Sequence, residues 1–426
     1  MAVIKAFKGM RYDTEVAGDL NKLVCPPYDI ISPAQREQFI EENPVNIIRL
    51  ELPAGGDDRY KQAGQLLNEW LTDGVLKLDS NECVYVYEME FTANGKRNRL
   101  KGFVPLVKLQ EFSDGVVLPH EETLSKAKTD RFNLMSETMC NFSQIYSLFI
   151  DSENETSKLL EAATQNAPDM CVCEPDGTIH RMWCLSDTGI IGKLVEIFAD
   201  KKLYIADGHH RYETALNFQK SLLANGKETP NSGFVAMMLV SIESDGLVIF
   251  PTHRIIKGLS GFSLDELIKK SAEFFDIKET VNEDSMNSAL HKDYFNGKCT
   301  FAVYGGAGKC YIFTLKDKNA VKAILPDKSD AYCGLDVSVL HTLVLEKLLG
   351  IDKENMANQK NLTYTRDVSE ALTAVDFGGA DFAVILNPTK VQEILDVALA
   401  NEKMPQKSTY FFPKLITGLV MNNFSE

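Results

Sequence analysis

Hydrophobic and polar residues follow two different periods along this chain, which predicts both strands and helices. Alternating or continuous apolar runs predict strands at residues 84–91, 100–109, 143–150, 234–242 and 247–250. Two short segments have the composition of hairpin turns, Ala-Asn-Gly at residues 93–95 and Ser-Asp-Gly at residues 244–246. Each of these turns is therefore expected to join the strands on either side of it.

Apolar residues at helical spacing predict helices in other segments. Residues 57–72 place their apolar side chains on one face. Residues 389–400 are predicted to form another helix, with Asn387 as its cap and Pro388 in its first turn. A third predicted helix covers residues 263–277. Because strand and helix signals alternate throughout, the sequence predicts a mixed α/β protein.

The segment that begins at residue 263 differs in character from what precedes it and is expected to start a second domain. We place the boundary at residue 258, which gives an N-terminal domain of residues 1–258 and a C-terminal domain of residues 259–426. Both parts carry strand and helix signals, so each is predicted to be α/β. A chain of 426 residues is long enough for two or three domains.

Composition and charge narrow the function classes. Asp and Glu number 60 against 45 Lys and Arg, and the net charge of -15 disfavours nucleic acid as a partner. No apolar run is long enough to predict a membrane span, and the N-terminus lacks the pattern of a signal peptide, so we expect a cytoplasmic protein. Nine cysteines without a CxxC pair predict reduced thiols rather than a zinc site.

A polar segment between a predicted strand and a predicted helix carries the first candidate chemistry. Residues 202–206 form the strand, residues 211–223 form the helix, and residues 207–210 connect them. Such a turn directs unpaired backbone N–H groups and the positive end of the helix dipole to one point. An anion such as phosphate can bind there.

The residue types in this turn suit phosphate. Gly208 permits close approach of the backbone, and Arg211 can bind two phosphate oxygens at once. His209 and His210 can donate hydrogen bonds, but adjacent side chains on a helix point about 100° apart, which disfavours a shared metal ion. The alternative is that Asp207 only caps the helix and that both histidines are surface residues.

A second candidate lies upstream, at residues 118–123. His120 and Glu121 follow a proline in a predicted loop, and a carboxylate there could act as the general base for a substrate hydroxyl. Equally, Glu122 could pair with Lys126 on the exposed face of a helix, which would explain the charges without a function. The spacing alone does not separate these two interpretations.

A third candidate lies near the C-terminus. Lys407, Ser408 and Thr409 place an ammonium group beside two hydroxyls, a combination that suits a phosphate or carboxylate ligand. The alternative is an ordinary polar strand or loop. Two other segments, Gly-Gly-Ala-Gly-Lys at residues 305–309 and Asp-Phe-Gly at residues 376–378, lack the companions of a P-loop or a kinase motif and are predicted to be turns.

Over nearly its whole length the sequence resembles a bacterial and archaeal domain family of unknown function. The segments that carry this resemblance are residues 25–32, 118–121, 206–214 and 404–419. The first of them contains Asp29 in a Pro-Pro-Tyr-Asp turn. Asp29 could be a further polar contributor to a site, and a rigid turn explains the segment equally well.

A more distant resemblance says more about chemistry. The Asp-Gly-His-His-Arg segment after a strand is similar to the phosphate-binding box of the ParB/sulfiredoxin superfamily. Within that superfamily, archaeal ADP-dependent free serine kinases show the same segment, a Pro-His-Glu segment upstream and a Ser-Pro-Lys-Thr-Thr segment near the C-terminus. The matching positions here are residues 119–121 and 405–409, in the same order, with Gln406 inserted between proline and lysine.

This resemblance implies a ParB/sulfiredoxin-like phosphate-binding core with large insertions, to which a C-terminal α/β domain returns residues 405–409. Glu121 would take the proton from the substrate hydroxyl, and Asp207 would lie near a magnesium ion. The resemblance assigns catalysis to Glu121, Asp207 and His209, phosphate and nucleotide binding to Gly208, His210 and Arg211, and substrate binding to His120, Lys407, Ser408 and Thr409. No residue is assigned as a metal ligand.

The function that the resemblance implies is phosphorylation of a small metabolite hydroxyl, with free L-serine converted to O-phosphoserine. The expected cofactors are ATP or ADP and Mg²⁺, and the expected partner is a small molecule rather than nucleic acid or a membrane. One alternative is a phosphatase that releases serine from phosphoserine. Another is a nucleotide-binding regulator without turnover, whose DNA-bound form the acidic charge disfavours.

Overall fold

A computed structural model describes residues 1–121, 123 and 125–425. The chain forms two compact units, of which the first comprises Met1–Val248 with Pro413–Glu426 and the second Ile249–Phe412. Each unit combines a large sheet with helices, which confirms the predicted mixed α/β class. Within the part of the chain that the structure describes, no helix is both long and apolar enough to cross a membrane.

The first unit is built on a ten-stranded sheet. The strands in the N-terminal part of this unit are β1 (Ile4–Lys5), β2 (Met10–Tyr12), β3 (Leu76–Leu78), β4 (Val84–Ala93), β5 (Lys96–Val104), β6 (Leu106–Lys108), β7 (Val117–Leu118), β8 (Cys140–Asn141), β9 (Ile145–Phe149), β10 (Met170–Cys173), β11 (Ile179–Leu185), β12 (Leu203–Asp207) and β13 (Phe234–Ser241). The order in the sheet is β10-β11-β4-β5-β13-β9-β12-β7, and β6 pairs with both β1 and β13.

Most neighbouring strands in this sheet are antiparallel. β4 and β5 form the predicted hairpin, with Asn94 and Gly95 in the left-handed region at φ 51° and 71°. Near the other side, β9 runs parallel to β13 and antiparallel to β12. β12 lies between β9 and β7, and Asp207 at its end pairs with Tyr146 of β9.

Helices cover this sheet and supply the other half of its core. They are α1 (Thr14–Ala17), α2 (Pro33–Glu42), α3 (Ile48–Glu51), α4 (Arg59–Thr72), α5 (Ser125–Thr138), α6 (Glu155–Ala163), α7 (Thr188–Phe198) and α8 (His209–Ala224). Phe198 of α7 packs edge-on against Phe103 and Phe149 of the sheet, with ring centroids 5.2 and 4.7 Å away. Burial of each such side chain stabilises the fold by about 1.5–3 kcal/mol.

The last residues of the chain return to the first unit. Cys25 and Thr417 exchange two backbone hydrogen bonds, and Met421 pairs in the same way with Met10. The sequence-based division at residue 258 would place all of these C-terminal residues in the second domain, and that boundary stays a prediction. The difference arises because residues 413–426 are held by backbone pairing with distant segments, which a local pattern does not show.

The second unit has its own sheet and helices. Its strands are β14 (Val248–Phe250), β15 (His253–Ile256), β16 (Phe275–Thr280), β17 (Thr300–Tyr304), β18 (Cys310–Leu315), β19 (Leu362–Thr365), β20 (Phe382–Leu386) and β21 (Tyr410–Phe412), and the first unit's final strand β22 (Asn422–Asn423) pairs with β8. Its helices are α9 (Leu264–Ser271), α10 (Glu283–Phe295), α11 (Asn319–Ile324), α12 (Asp330–Cys333), α13 (Asp336–Val339), which continues as a π-helix at Leu340–Leu348, α14 (Lys353–Ala357), α15 (Val368–Asp376) and α16 (Val391–Leu399).

Six of these strands form an antiparallel sheet in the order β16-β18-β17-β20-β15-β19. Alternate residues of β17 enter two different cores, Val303 on one face and Ala302 on the other. The sheet is therefore covered on both faces, and β15 lies inside it between β20 and β19. β14 pairs with β21 in a separate two-stranded sheet.

The local pattern located most elements but misjudged several connections. The predicted hairpin at residues 244–246 is wrong, because β14 pairs with β21 rather than with β13. The helix predicted over residues 263–277 ends at Ser271, and the last three residues of the predicted segment belong to the strand β16. Pro105, which has no N–H to donate, separates the single strand expected at residues 100–109 into two.

The start of α16 also differs from the prediction. Its cap is Lys390, whereas the Asn387 side chain donates to the carbonyl of Thr300 at 3.2 Å. By contrast, residues 305–309 connect β17 to β18 in a hairpin, as predicted. The predicted pairing of Glu122 with Lys126 lies outside the described residues.

The second unit contains a carboxyl group that binds its proton more tightly than usual. Asp336, at the start of α13, accepts a hydrogen bond from the backbone N–H of Thr300 at 3.2 Å. Burial raises the pKa of Asp336 to about 7, and the charge of Glu393 acts in the same direction. A carboxyl group whose pKa is raised by folding stabilises the folded state below its unfolded pKa, and this contribution is lost as pH rises through the folded value.

We therefore expect Asp336→Asn to flatten the pH dependence of stability between about pH 4 and pH 7, because the variant has no proton to lose. Urea unfolding at pH 5, 6 and 8 measures this, and the variant should gain most relative to the wild type at pH 8. Asp330→Asn is the control, since the Asp330 side chain is 96% exposed. Parallel stability curves for Asp336→Asn and wild type would contradict the assignment.

Candidate functional site

The strand, turn and helix expected around Asp207 are present in the first unit. β12 ends at Asp207, Gly208 adopts φ 93°, and α8 begins at His209. A residue with a side chain would be strained at this φ, so glycine is required for the sharp turn. Gly208 is the helix cap and offers no side-chain cap. The first backbone N–H groups of α8 and the positive end of its dipole therefore point to this corner.

Asp207 lies between two cations. Its Oδ2 accepts from Arg211 Nη2 at 2.6 Å, and its Oδ1 accepts from Lys414 Nζ. Arg211 also donates through Nη1 to the carbonyl of Gln144 at 2.5 Å. Burial alone would raise the pKa of Asp207, but Lys414 and Arg211 hold it well below its usual range. Asp207 is therefore an anion whose two oxygens both bind cations of the protein.

His120 and His209 form a buried pair behind this turn. The backbone N–H of His120 donates to Nε2 of His209 at 3.2 Å, and the rings meet edge to face at 4.6 Å. His120 lies 2.6 Å through Nδ1 from the carbonyl of Ile205, so Nδ1 carries the proton. Burial lowers the pKa of His120 to about 4. His120 is thus neutral, and its contacts fix the backbone immediately before Glu121.

Several charges converge on His210, the second residue of α8. Burial lowers the pKa of His210, whereas the nearby charges of Glu121, Glu213 and Asp29 raise it and that of Lys128 lowers it. Lys128 is fixed by an ion pair with Glu213 at 2.7 Å. The fold therefore brings Glu121 and Asp29, which are far apart in sequence, to the start of α8.

A buried ion-pair network supports this corner and was missed in the sequence. Arg131 donates to the carbonyl of Glu51 at 2.7 Å, lies 3.5 Å from its carboxylate and stacks over the Tyr28 ring at 4.2 Å. Burial raises the pKa of Glu51, while Arg131 and Arg211 lower it. The only local sign of this network is the Pro-Pro-Tyr-Asp turn, because nothing in the pattern around Glu51 sets it apart.

Lys407, Ser408 and Thr409 belong to the second unit. Lys407 is exposed and has φ 57°, and the Ser408 hydroxyl is buried and donates to the carbonyl of Pro405 at 2.5 Å. Thr389 Oγ1 donates to the carbonyl of Ser408 at 2.8 Å. The participation of these residues in a site with Asp207 and Glu121 stays a prediction.

The expected magnesium ion would need carboxylate ligands in the first unit. Among the described residues, no group of three or more His, Cys, Asp and Glu side chains has the arrangement of a metal site. Asp207 suits the role of a ligand poorly, since both of its oxygens accept hydrogen bonds from cations. Mg²⁺ that arrives with a nucleotide needs only one or two protein carboxylates, and Glu121 and Asp29 are the candidates near His210.

The segments that carry the family resemblance are thus placed in the fold, and the family itself follows from a sequence comparison. A family model described as a protein of unknown function, DUF1015, matches residues 4–338. The chain belongs to the DUF1015 family. The expected membership of a family of unknown function is confirmed. No curated protein matches the sequence of this DUF1015 protein.

Solved structures offer distant similarities to this DUF1015 protein. It is similar to a free serine kinase in complex with AMP, with 14% identity over 72% of this chain and 89% of that chain and a TM-score of 0.33. It is also similar to a conserved hypothetical protein from Pyrococcus furiosus, with 14% identity over 72% of this chain and 93% of that chain and a TM-score of 0.33. For SbnI with a C-terminal truncation from Staphylococcus aureus, the identity is 12% over 74% of this chain and 86% of that chain, and the TM-score is 0.35. The function proposed below therefore rests on the residues of this chain.

Removal of Lys414 should destabilise the first unit. Lys414→Met deprives Asp207 Oδ1 of its charged donor, and we expect the free energy of unfolding to fall by about 2–3 kcal/mol at pH 7. Asp207 has a lowered pKa in the folded state, so its contribution is present above the unfolded pKa and is lost as pH falls. The difference between wild type and variant should therefore shrink below about pH 4.

Chemical denaturation at several pH values measures this effect. The matched control is Lys220→Met, which removes an ion pair with Glu111 whose side chains are 55% and 47% exposed. Such a surface pair contributes at most about 1 kcal/mol. Equal losses in the two variants, or a loss in Lys414→Met that does not depend on pH, would argue against the paired arrangement of Asp207.

Proposed function

We propose that this protein is a phosphotransferase that uses a nucleotide to phosphorylate the hydroxyl group of free L-serine, giving O-phosphoserine. One observation carries the proposal. The carboxylates of Glu121 and Asp29 lie near His210 at the N-terminal end of α8, in the same unit as the Asp207 turn. A phosphate-binding helix end beside a candidate base is the minimum that this reaction requires.

Phosphoryl transfer needs positioning and neutralisation of charge more than covalent chemistry by the protein. The backbone N–H groups at the start of α8 would bind phosphate oxygens of the nucleotide. Arg211 and Lys414 supply positive charge at the same corner, and Asp207 holds both in place. The role of Arg211 is in this view to fix the turn and to contribute its charge, since two of its donors contact Asp207 and Gln144.

Glu121 is the proposed general base. It is half-buried, and it follows His120, whose contacts with Ile205 and His209 fix the backbone at this point. The serine hydroxyl would give its proton to the Glu121 carboxylate while the oxygen forms a bond to the terminal phosphorus of the nucleotide. The bond from that phosphorus to the rest of the nucleotide breaks, and the shortened nucleotide leaves with the electron pair.

The choice of serine and of ATP or ADP is supported by the three motifs shared in order with free serine kinases, at residues 119–121, 207–211 and 405–409. Mg²⁺ bound to the nucleotide would neutralise phosphate charge, and Glu121 or Asp29 could hold it. The partners of the protein are on this view small molecules in the cytoplasm. Lys407 and Thr409 are proposed to contact the substrate.

The reaction is tested by incubation of the protein with serine, Mg²⁺ and either ATP or ADP, followed by phosphorus NMR. We expect O-phosphoserine with at least one nucleotide. Inorganic phosphate released from O-phosphoserine without a nucleotide would instead favour a phosphatase. Nucleotide binding in calorimetry without any turnover would favour a regulator, and either result would overturn the proposed direction or class.

The role of Glu121 is tested by Glu121→Gln, which keeps the size of the side chain but cannot accept the proton. We expect kcat to fall by about a hundredfold or more, with the KM for the nucleotide changed little. Glu90→Gln is the control, because Glu90 forms ion pairs with Arg97 and Arg181 elsewhere in the sheet. Activity retained in Glu121→Gln would exclude Glu121 as the base.

A further inference from the structure

Arg254, in β15 of the second unit, is the largest fully buried side chain among the residues that the structure describes, with an exposure of 0%. Its Nη1 donates to the carbonyl of Thr252, and its Nη2 donates to the carbonyl of Lys407 at 3.0 Å. Nη2 also lies 3.4 Å from the carbonyl of Gln406 and 3.4 Å from Nε2 of His341. The guanidinium thus links β15 to a turn about 150 residues further along the chain.

This buried cation has no carboxylate partner within the described part of the chain, and its Nε has no hydrogen-bond acceptor there. Its guanidinium lies over the Tyr364 ring, 5.3 Å from the ring centroid. Burial and the charge of Arg254 lower the pKa of His253 to about 4 and hold the pKa of His341 well below its usual range, so both histidines are neutral. A buried charge without a counter-charge is costly. The hydrogen bonds that Arg254 donates to the turn at Lys407 offset part of this cost.

The turn that Arg254 contacts has an unusual backbone. Lys407 has φ 57°, in the left-handed region that side chains with a Cβ rarely adopt. Donors meet three successive carbonyls of this turn, with Arg254 at Gln406 and Lys407 and Thr389 at Ser408. These hydrogen bonds use the backbone carbonyls of the turn, and the Lys407 side chain is exposed.

We propose that Arg254 is the positioning residue that sets the turn carrying Lys407 and Thr409. The planar guanidinium can donate to several carbonyls in a fixed geometry, which the single ammonium of a lysine cannot reproduce. The part of this inference that concerns substrate rests on the proposed function, in which Lys407 and Thr409 contact serine. The part that concerns the backbone of the turn does not.

Limited trypsin digestion tests the backbone directly, because Lys407 is exposed and trypsin cleaves after lysine. We expect cleavage between Lys407 and Ser408 to become about tenfold faster in Arg254→Met, since opening of the turn is easier without its donors. Arg254→Lys should give an intermediate rate. The matched control is Arg366→Met, which removes an arginine that lies over the Tyr410 ring, 4.0 Å from the ring centroid.

A wild-type cleavage rate at Lys407 in Arg254→Met would overturn the proposal. If that variant does not fold, a wild-type rate in Arg254→Lys would overturn it equally. Rates are normalised to cleavage at other sites in the same digest, so that general unfolding, which accelerates all sites together, counts against a specific role.

Steady-state kinetics test the consequence for substrate. We expect Arg254→Met to raise the KM for serine about tenfold, with kcat and the KM for the nucleotide changed much less, and Arg254→Lys to restore part of the loss. An unchanged KM for serine despite faster cleavage would overturn the role of the turn in substrate binding. If the wild-type protein does not phosphorylate serine, the proposed function fails, and the cleavage rates still decide the role of Arg254.

Discussion

The carboxylate of Asp207 is held between Arg211, one helical turn later, and Lys414, more than two hundred residues away. This contact closes the corner between β12 and α8, and it ties the C-terminal segment to the first unit. It also explains why Asp207 stays ionised in a buried place, because two cations outweigh the cost of burial. The turn at Gly208 is therefore held by contacts that the protein itself supplies through Asp207.

The side chains around this corner divide into neutral and charged groups. His120 and His209 are buried and in close contact. Burial lowers the pKa of His120 and keeps it neutral, so it supplies no charge and instead holds the backbone through its hydrogen bonds with Ile205 and His209. The charges of Glu121, Asp29 and Lys128 act on His210, and Asp29 is exposed to solvent. A candidate base beside the positive end of a helix is thus separated from the buried residues that hold the loop.

Buried charge is used differently in the two units. In the first unit, Arg131 and Glu51 lie next to each other, and each compensates the burial of the other. In the second unit, Arg254 contacts carbonyl groups, a histidine and an aromatic ring, and burial raises the pKa of Asp336 so that this carboxyl group binds its proton more tightly. Such groups are costly to bury. Arg254 donates to the carbonyls of a turn and Asp336 lies at a helix start, which indicates that both set local geometry.

The sequence alone determined the mixed α/β class, most strands and helices, the hairpin at Asn94 and the strand-turn-helix around Asp207, because these depend on local periodicity and on residues a few positions apart. It also singled out Glu121, whose proximity to His210 it could only infer from resemblance. Only the tertiary structure places Lys414 beside Asp207, and Glu51 and Tyr28 beside Arg131. It also decided that β14 pairs with β21 and that Arg254 donates to the turn at Lys407. These contacts join segments that lie as much as 207 residues apart. No local pattern specifies them, since long-range pairing is set by how whole surfaces pack.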